Sequence, residues 1–149
     1  MLNDSQRKPS LLVVDDEESI RFLLDAYFGA HGWTVGCAAS CAEALKLLEG
    51  PPFDVAVLDL RLAKSDGVDG GIALMQEIVR RHPQTHNVFL TGYGSEASRQ
   101  EALAKGASKV LDKPVRLETL RNIVTELVDG PIVQDGAPGA GAKSVAGEE

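Results

Sequence analysis

Residues 10–20 have the sequence SLLVVDDEESI, in which a short apolar run is followed at once by a run of acids that begins with Asp15, Asp16 and Glu17. The apolar part, residues 11–14, has no polar break, which fits a strand buried on both faces of a sheet. Two carboxylates about 5 Å apart repel each other by roughly 3 kcal/mol at an effective dielectric near 20. The adjacent acids Asp15, Asp16 and Glu17 therefore need an offsetting positive charge, or side chains that point apart into water.

Similar apolar runs recur along the chain and alternate with segments of helical period. The predicted strands are residues 11–14, 33–37, 55–58, 88–91 and 109–111. The first predicted helix has one apolar stripe at helical spacing, formed by Ile20, Leu23, Leu24, Tyr27 and Phe28. The second begins with Ser40 and Glu43 at the spacing of a capping box and ends at Gly50.

Three further helices complete the alternation. The third is marked by Ile72, Met75 and Val79, the fourth has only Leu103 as a large apolar residue, and the fifth has a stripe formed by Leu117, Leu120, Ile123, Val124 and Leu127. Five strands that alternate with five helices predict an α/β fold with a doubly wound parallel sheet covered on both faces. We expect the flavodoxin-like strand order 2-1-3-4-5.

Length and composition are those of one ordinary globular domain. The chain has 149 residues, of which 44% are hydrophobic and 25% charged. We expect a short N-terminal extension over residues 1–9, the domain over residues 10–129, and a flexible Gly/Ala/Pro-rich tail over residues 130–149. Cys37 and Cys41 are expected to be reduced, because a single C-x3-C pair is a poor metal signal.

Charge and hydropathy exclude several classes of partner. The net charge of −7 and the pI of about 4.9 argue against nucleic-acid binding, which needs a basic surface. No apolar run approaches the roughly 20 residues that span a bilayer, and the N-terminus lacks the apolar core of a secretory signal. These features predict a cytoplasmic protein without membrane insertion.

Polar residues stand where the predicted strands end. Asp15 and Asp16 follow the first strand, Asp59 the third, Thr91 ends the fourth, and Lys113 comes just after the fifth. In open α/β sheets ligands bind beyond the carboxyl ends of the strands, so these side chains should converge. Three carboxylates suit Mg²⁺, a lysine suits a phosphoryl oxygen, and an aspartate can act as a nucleophile toward phosphorus.

Four motifs at these strand ends resemble the receiver domain of two-component response regulators. They are VVDDEESIR from residue 13, VLDLRL from residue 57, FLTGYGS from residue 89 and KP at residues 113–114. The resemblance covers about residues 10–128. It implies a phosphorylation-controlled signalling switch that receives a phosphoryl group from a histidine kinase or a histidine phosphotransfer protein and acts on an unknown downstream protein.

The resemblance also implies a role for each site residue. Asp59 matches the phospho-acceptor, and Asp15 and Asp16 match the acidic pair that binds Mg²⁺ together with Asp59 and the backbone carbonyl of Arg61. Thr91 matches the hydroxyl residue that moves toward the phosphoryl group. Lys113 matches the lysine that pairs with it, and the bond between Lys113 and Pro114 is expected to be cis.

The sequence departs from the family pattern at three places. Ala63 stands where the family usually has proline, and the competing pairs 66–67 and 69–70, both Asp-Gly, indicate an insertion of about three residues. Val110 stands where the family usually has the aromatic switch residue, so the fourth helix or Tyr93 is a candidate for part of that role. Arg61 and Tyr93 are large residues on the expected path of the hydrolytic water, which predicts a long-lived phosphorylated form.

We expect a stand-alone domain that catalyses only its own phosphorylation and dephosphorylation and is not otherwise an enzyme. The alternatives are a phosphorylation-independent adaptor and a receiver fragment of a longer response regulator. A phosphohydrolase of the haloacid dehalogenase type would need an acid two residues after the nucleophile, where this chain has Arg61. A nucleotide or flavin binder would need a phosphate loop after the first strand, and the acids there repel phosphate.

Overall fold

The computed structural model describes residues 7–62, 70–92 and 95–130, which form one parallel sheet with helices on both faces. The strands are β1 (Ser10–Val14), β2 (Thr34–Ala38), β3 (Val55–Asp59), β4 (His86–Thr91) and β5 (Lys109–Asp112). The helices are α1 (Glu18–Ala30), α2 (Cys41–Leu47), α3 (Gly70–Arg81), α4 (Glu96–Ala104) and α5 (Leu117–Asp129). All strand pairs are parallel and the order is β2-β1-β3-β4-β5, which confirms the predicted fold and strand order.

The core consists of two layers, one on each face of the sheet. Leu11 and Val13 of β1 face a layer closed by α1 and α5, while Leu12 and Val14 face a layer closed by α2, α3 and α4. These four residues are fully buried. Burial on both faces explains why the strand sequence has no polar alternation.

The α2 helix begins at a capping arrangement close to the predicted one. The Ser40 hydroxyl accepts a hydrogen bond from the backbone N–H of Glu43 at 3.1 Å. The Glu43 carboxylate accepts from the backbone N–H of Ala39 at 2.7 Å, one residue before the cap. The helix ends at Leu47, three residues before the predicted end at Gly50.

Several predicted details of the helices and strands are wrong. Trp33 precedes β2 instead of opening it, and its ring contacts Phe28 edge-on with the centroids 5.5 Å apart. Leu23, which belongs to the apolar stripe predicted for the first helix, is 50% exposed, and Val79, one of the residues that mark the third helix, is 38% exposed. A helix that lies on a flat sheet buries a narrower stripe than the sequence pattern suggests, so residues at its margin remain in contact with water.

The start of α3 is packed tightly against the end of β3. Gly70 has φ +77°, a conformation that favours glycine, and begins the helix. A Cβ atom at Gly71 would lie 2.5 Å from the Asp59 carbonyl oxygen and 2.8 Å from Cε1 of Phe89. Glycine at position 71 therefore lets the helix backbone approach the strand end that carries Asp59.

Some predictions fall outside the described residues. These are the start of the N-terminal extension, the loop insertion after Asp59 with Ala63, the side chain of Tyr93, and nearly all of the tail. Among the described helices, none combines the length and the apolar character needed to cross a bilayer.

Candidate functional site

Three acids converge where β1 and β3 end side by side. Asp15 and Asp16 follow β1, and Asp59 is the last residue of β3. One carboxylate oxygen of each residue lies within 4.8 Å of those of the other two. Asp15 is 2% exposed and Asp59 is 8% exposed, whereas Asp16 faces solvent. The structure thus brings together the three acids that the sequence predicted to converge.

The loop that carries Asp15 is held by hydrogen bonds on several sides. The backbone N–H of Asp15 donates to the Ala38 carbonyl at 3.1 Å, and its Oδ1 accepts from the backbone N–H of Glu17 at 2.9 Å. Its carbonyl oxygen accepts from Nη1 of Arg21 at 2.8 Å. These contacts fix the position of Asp15 at the end of β1.

Asp59 is buried beside two other carboxylates. Burial raises the pKa of its carboxyl above the ordinary value, and the negative charges of Asp15 and Asp16 act in the same direction. The backbone N–H of Arg61, which donates to Asp59 Oδ1 at 3.0 Å, and the charge of Lys113 lower that pKa in part. A cation in the crevice would relieve this strain between like charges.

Lys113 is the positive charge that the adjacent acids require. Its Nζ donates to Asp15 Oδ2 at 3.2 Å and to Glu17 Oε1 at 3.3 Å. Burial lowers the pKa of Lys113, but the attraction of Asp15 and Asp59 and the two hydrogen bonds outweigh burial and leave that pKa raised. The repulsion among the three adjacent acids is thus reduced in two ways: water screens the exposed Asp16 side chain, and Lys113 pairs with Asp15 and Glu17.

The remaining predicted site residues lie on β4, on β5 and just after β5. Thr91 ends β4, is 1% exposed, and accepts a hydrogen bond at its carbonyl from the backbone N–H of Lys113 at 2.8 Å. The peptide bond between Lys113 and Pro114 is cis, as the resemblance implied. Val110 lies on β5, half-buried against the core layer of α2, α3 and α4. The roles predicted for these residues remain predictions.

Three polar contacts near the site were not predicted. They are the hydrogen bond from Arg21 to Asp15, the pairing of Glu17 with Lys113, and the contacts of Arg99 with β5. The Glu17 side chain is 58% exposed, yet it shares Lys113 with Asp15. No short sequence motif marks such contacts, because they join elements distant in the chain.

The donor set fits a hard divalent cation. The three carboxylates supply oxygen ligands of the kind that Mg²⁺ prefers, and an exposed Asp16 leaves room for the waters that Mg²⁺ retains. Lys113 beside the same crevice adds a point charge suited to a phosphoryl oxygen. The arrangement can therefore hold a cation and a phosphoryl group next to the Asp59 carboxylate.

The chain belongs to the response regulator receiver domain family, whose sequence pattern matches residues 11–125. The resemblance seen in the motifs and the fold is thereby confirmed. Among curated proteins, the response regulator protein PilR of Pseudomonas aeruginosa is 42% identical over 113 residues, which are 76% of this chain and 24% of PilR. The chain thus spans about a quarter of the length of that relative.

Solved structures show the same fold. A CheY-like response regulator receiver domain protein from Methanospirillum hungatei superposes with a TM-score of 0.76 and 26% identity, covering 83% of this chain and 95% of that one. A response regulator protein from Burkholderia pseudomallei gives a TM-score of 0.68 with 29% identity, covering 85% of this chain and 77% of that one. The latter structure contains a phosphorylated aspartic acid, a calcium ion and citrate.

Proposed function

We propose that this receiver domain is a phosphorylation-controlled signalling switch whose phospho-acceptor is Asp59. The observation that carries the proposal is the buried Asp59 carboxylate within 4.8 Å of Asp15 and Asp16, with Lys113 hydrogen-bonded to Asp15 at 3.2 Å. The phosphorylated aspartic acid and calcium ion of the Burkholderia pseudomallei relative support it, because that protein shares the family and the fold.

The chemistry would be phosphoryl transfer from phosphohistidine to the Asp59 carboxylate. A carboxylate oxygen forms a bond to phosphorus while the bond between phosphorus and the imidazole nitrogen breaks, and the imidazole leaves with its electron pair. Lys113 would turn from Asp15 and Glu17 toward a phosphoryl oxygen, and the Thr91 hydroxyl would approach another. Mg²⁺ held by Asp15, Asp16, Asp59 and the Arg61 carbonyl would neutralise charge on the phosphoryl oxygens.

The same proposal names the partners. The donor would be a histidine kinase or a histidine phosphotransfer protein, and a cytoplasmic location follows from that choice. The first helix after the acid pair exposes Phe22 by 73% and Leu23 by 50%, which offers the donor an apolar contact beside the site. Catalysis would be limited to the domain's own phosphorylation and dephosphorylation.

Two other readings remain compatible with the family. Because PilR is about four times as long as the matched region, this sequence also fits the receiver part of a longer response regulator with its own output domain. A phosphorylation-independent adaptor is favoured only by Val110, which lacks the ring that the family usually has there. Retention of all three acids and Lys113 favours the phosphorylated switch over the adaptor.

The experiment is incubation with a small-molecule phosphodonor, with Mg²⁺ or with EDTA, followed by intact-mass measurement. We expect one added phosphoryl group on the wild type only when Mg²⁺ is present, and none on Asp59→Asn, whose amide is not a nucleophile. Asp54→Asn is the matched control and should label like the wild type, because Asp54 binds Ser10 and Arg7 at the opposite end of β3. Labelling of Asp59→Asn, or labelling without divalent metal, would contradict the proposal.

A further inference from the structure

Arg99 connects α4 to β5 by a fork of hydrogen bonds. Its Nη1 donates to the Val110 carbonyl oxygen at 2.9 Å, and its Nη2 donates to Asp112 Oδ1 at 2.5 Å. Its Nε also lies 3.9 Å from a Glu96 carboxylate oxygen one turn earlier on the helix. The Arg99 side chain is only 23% exposed, so the fork lies against the protein surface instead of extending into water.

The α4 helix has little apolar packing to hold it in place. Of its nine residues only Ala102 is buried, and Leu103 is 40% exposed. A helix with so small a buried face is held weakly by the hydrophobic effect. The hydrogen bonds of Arg99 to the Val110 carbonyl and to Asp112, whose side chain is 71% exposed, add a polar attachment of α4 to the sheet.

The strand end that Arg99 holds leads directly into the proposed phosphorylation site. Asp112 is the residue before Lys113, whose backbone N–H donates to the Thr91 carbonyl and whose Nζ binds Asp15. A displacement of Lys113 toward a phosphoryl group would move the adjacent Asp112, and with it one of the two acceptors of the Arg99 fork. The contacts form an unbroken covalent and hydrogen-bonded path from the Asp59 crevice to α4.

We propose that Arg99 is a positioning residue that fastens α4 to β5 and couples the position of α4 to phosphorylation of Asp59. This coupling rests on the proposed function. Arg99 forms a polar link to β5 at the position where Val110 provides no aromatic ring. Signal transmission to α4 in this domain then depends on the guanidinium fork and not on the rotation of a side chain at position 110.

A matched pair of variants separates the effect of losing the Arg99 hydrogen bonds from the effect of losing a positive charge at α4. Arg99→Gln removes the fork, whereas Lys105→Gln removes a positive charge from the residue that directly follows the same helix. Lys105 pairs with Glu101 at 2.9 Å, and its backbone N–H donates within α4 to Glu101 and Ala102. Arg99→Lys keeps the charge but lacks the planar fork of donors. Its rate of amide exchange in α4 should therefore lie between those of the wild type and Arg99→Gln.

The first measurement is amide hydrogen exchange of α4 without phosphodonor. Arg99→Gln should speed exchange in α4 by roughly fivefold, because opening of the helix no longer breaks the charged hydrogen bonds. Lys105→Gln should leave exchange in the rest of α4 close to wild type. Equal exchange in the Arg99→Gln and Lys105→Gln proteins would overturn the attachment.

The second measurement repeats the exchange after phosphorylation, with the extent of labelling read by intact mass in the same samples. Wild type and Lys105→Gln should change their α4 exchange on phosphorylation, while Arg99→Gln should take up the phosphoryl group without a further change in α4. A full α4 response in phosphorylated Arg99→Gln would overturn the coupling. Absence of labelling in the wild type would contradict the proposed function. In that case the exchange measured without phosphodonor would still test whether Arg99 fastens α4 to β5.

Discussion

Replacing Asp59 by Asn should make the protein more stable, although it removes the proposed phospho-acceptor. Asp59 is 8% exposed, and a ligand oxygen of its carboxylate lies within 4.8 Å of those of Asp15 and Asp16. In the wild type the Arg61 backbone N–H donates to Asp59 Oδ1 at 3.0 Å. Asn has the same shape as Asp and keeps an oxygen that can accept this hydrogen bond. The substitution therefore removes charge while it preserves the hydrogen bond.

The size of the effect follows from the distances. At 4.8 Å and an effective dielectric near 20, two unit charges repel by about 3.5 kcal/mol. Lys113, which is 3.2 Å from Asp15, offsets much of this repulsion, and solvent screens the exposed Asp16. We expect Asp59→Asn to raise the free energy of unfolding by about 1 to 2 kcal/mol at pH 7 without divalent metal.

The increase in the free energy of unfolding caused by Asp59→Asn should itself depend on pH. Burial raises the pKa of Asp59 above its ordinary value of 3.8, so the folded wild type binds a proton more readily than the unfolded chain does. The contribution of this group to stability therefore falls as the pH rises from 3.8 through the raised folded pKa. The advantage of Asn should be absent at pH values below 3.8 and should grow as the pH rises through the raised folded pKa of Asp59.

Urea unfolding of wild type, Asp59→Asn and Asp54→Asn, each in EDTA and in excess Mg²⁺, tests this reasoning. Asp54 accepts from the Ser10 backbone at 2.8 Å and faces Arg7 at 3.4 Å, so the same substitution there should cost about 0.5 kcal/mol. Mg²⁺ should stabilise the wild type and narrow its difference from Asp59→Asn. A destabilised Asp59→Asn in EDTA, or a difference that Mg²⁺ leaves unchanged, would refute the account of the acidic cluster.

Two further substitutions test the geometry around Asp59. Gly71→Ala should lower the free energy of unfolding by about 2 kcal/mol in urea unfolding, because its Cβ would meet the Asp59 carbonyl at 2.5 Å. Gly29→Ala, which has nothing within 4 Å, should instead raise it by about 0.5 kcal/mol, and equal effects at the two glycines would contradict the close approach. Arg61→Asn should speed loss of phosphate from Asp59 in intact-mass time courses, and an unchanged or slower loss would count against shielding by Arg61.

The fold and the acidic cluster could be predicted because their signals are local in the sequence. A four-residue apolar run followed by Asp15 and Asp16 identifies a buried strand and the acids at its end without reference to any distant residue. The order of such strands then brings Asp59 and Lys113 to the same edge, since parallel strands present their carboxyl ends together. The structure confirms the strand order and the convergence of the acids.

The contacts that were missed depend on how separate elements pack. Glu17 and Lys113 are 96 positions apart, and the reach of Arg99 to Val110 depends on how α4 lies across β5. The exposure of Leu23 and Val79 could not be predicted, because helical spacing gives the direction of a side chain but not the width of the surface beneath it. Tertiary packing decided each of these details.

The most direct measurement of the central claim is to locate the phosphoryl group in the chain. Borohydride reduces an aspartyl phosphate to homoserine, which leaves a stable mark that peptide mass spectrometry can assign to one residue. After treatment with phosphodonor and Mg²⁺, the account predicts homoserine at position 59 and unmodified Asp15, Asp16 and Asp54. Homoserine at one of those other positions, or none anywhere in a sample that carries an added phosphoryl mass, would contradict the assignment of Asp59 as the phospho-acceptor.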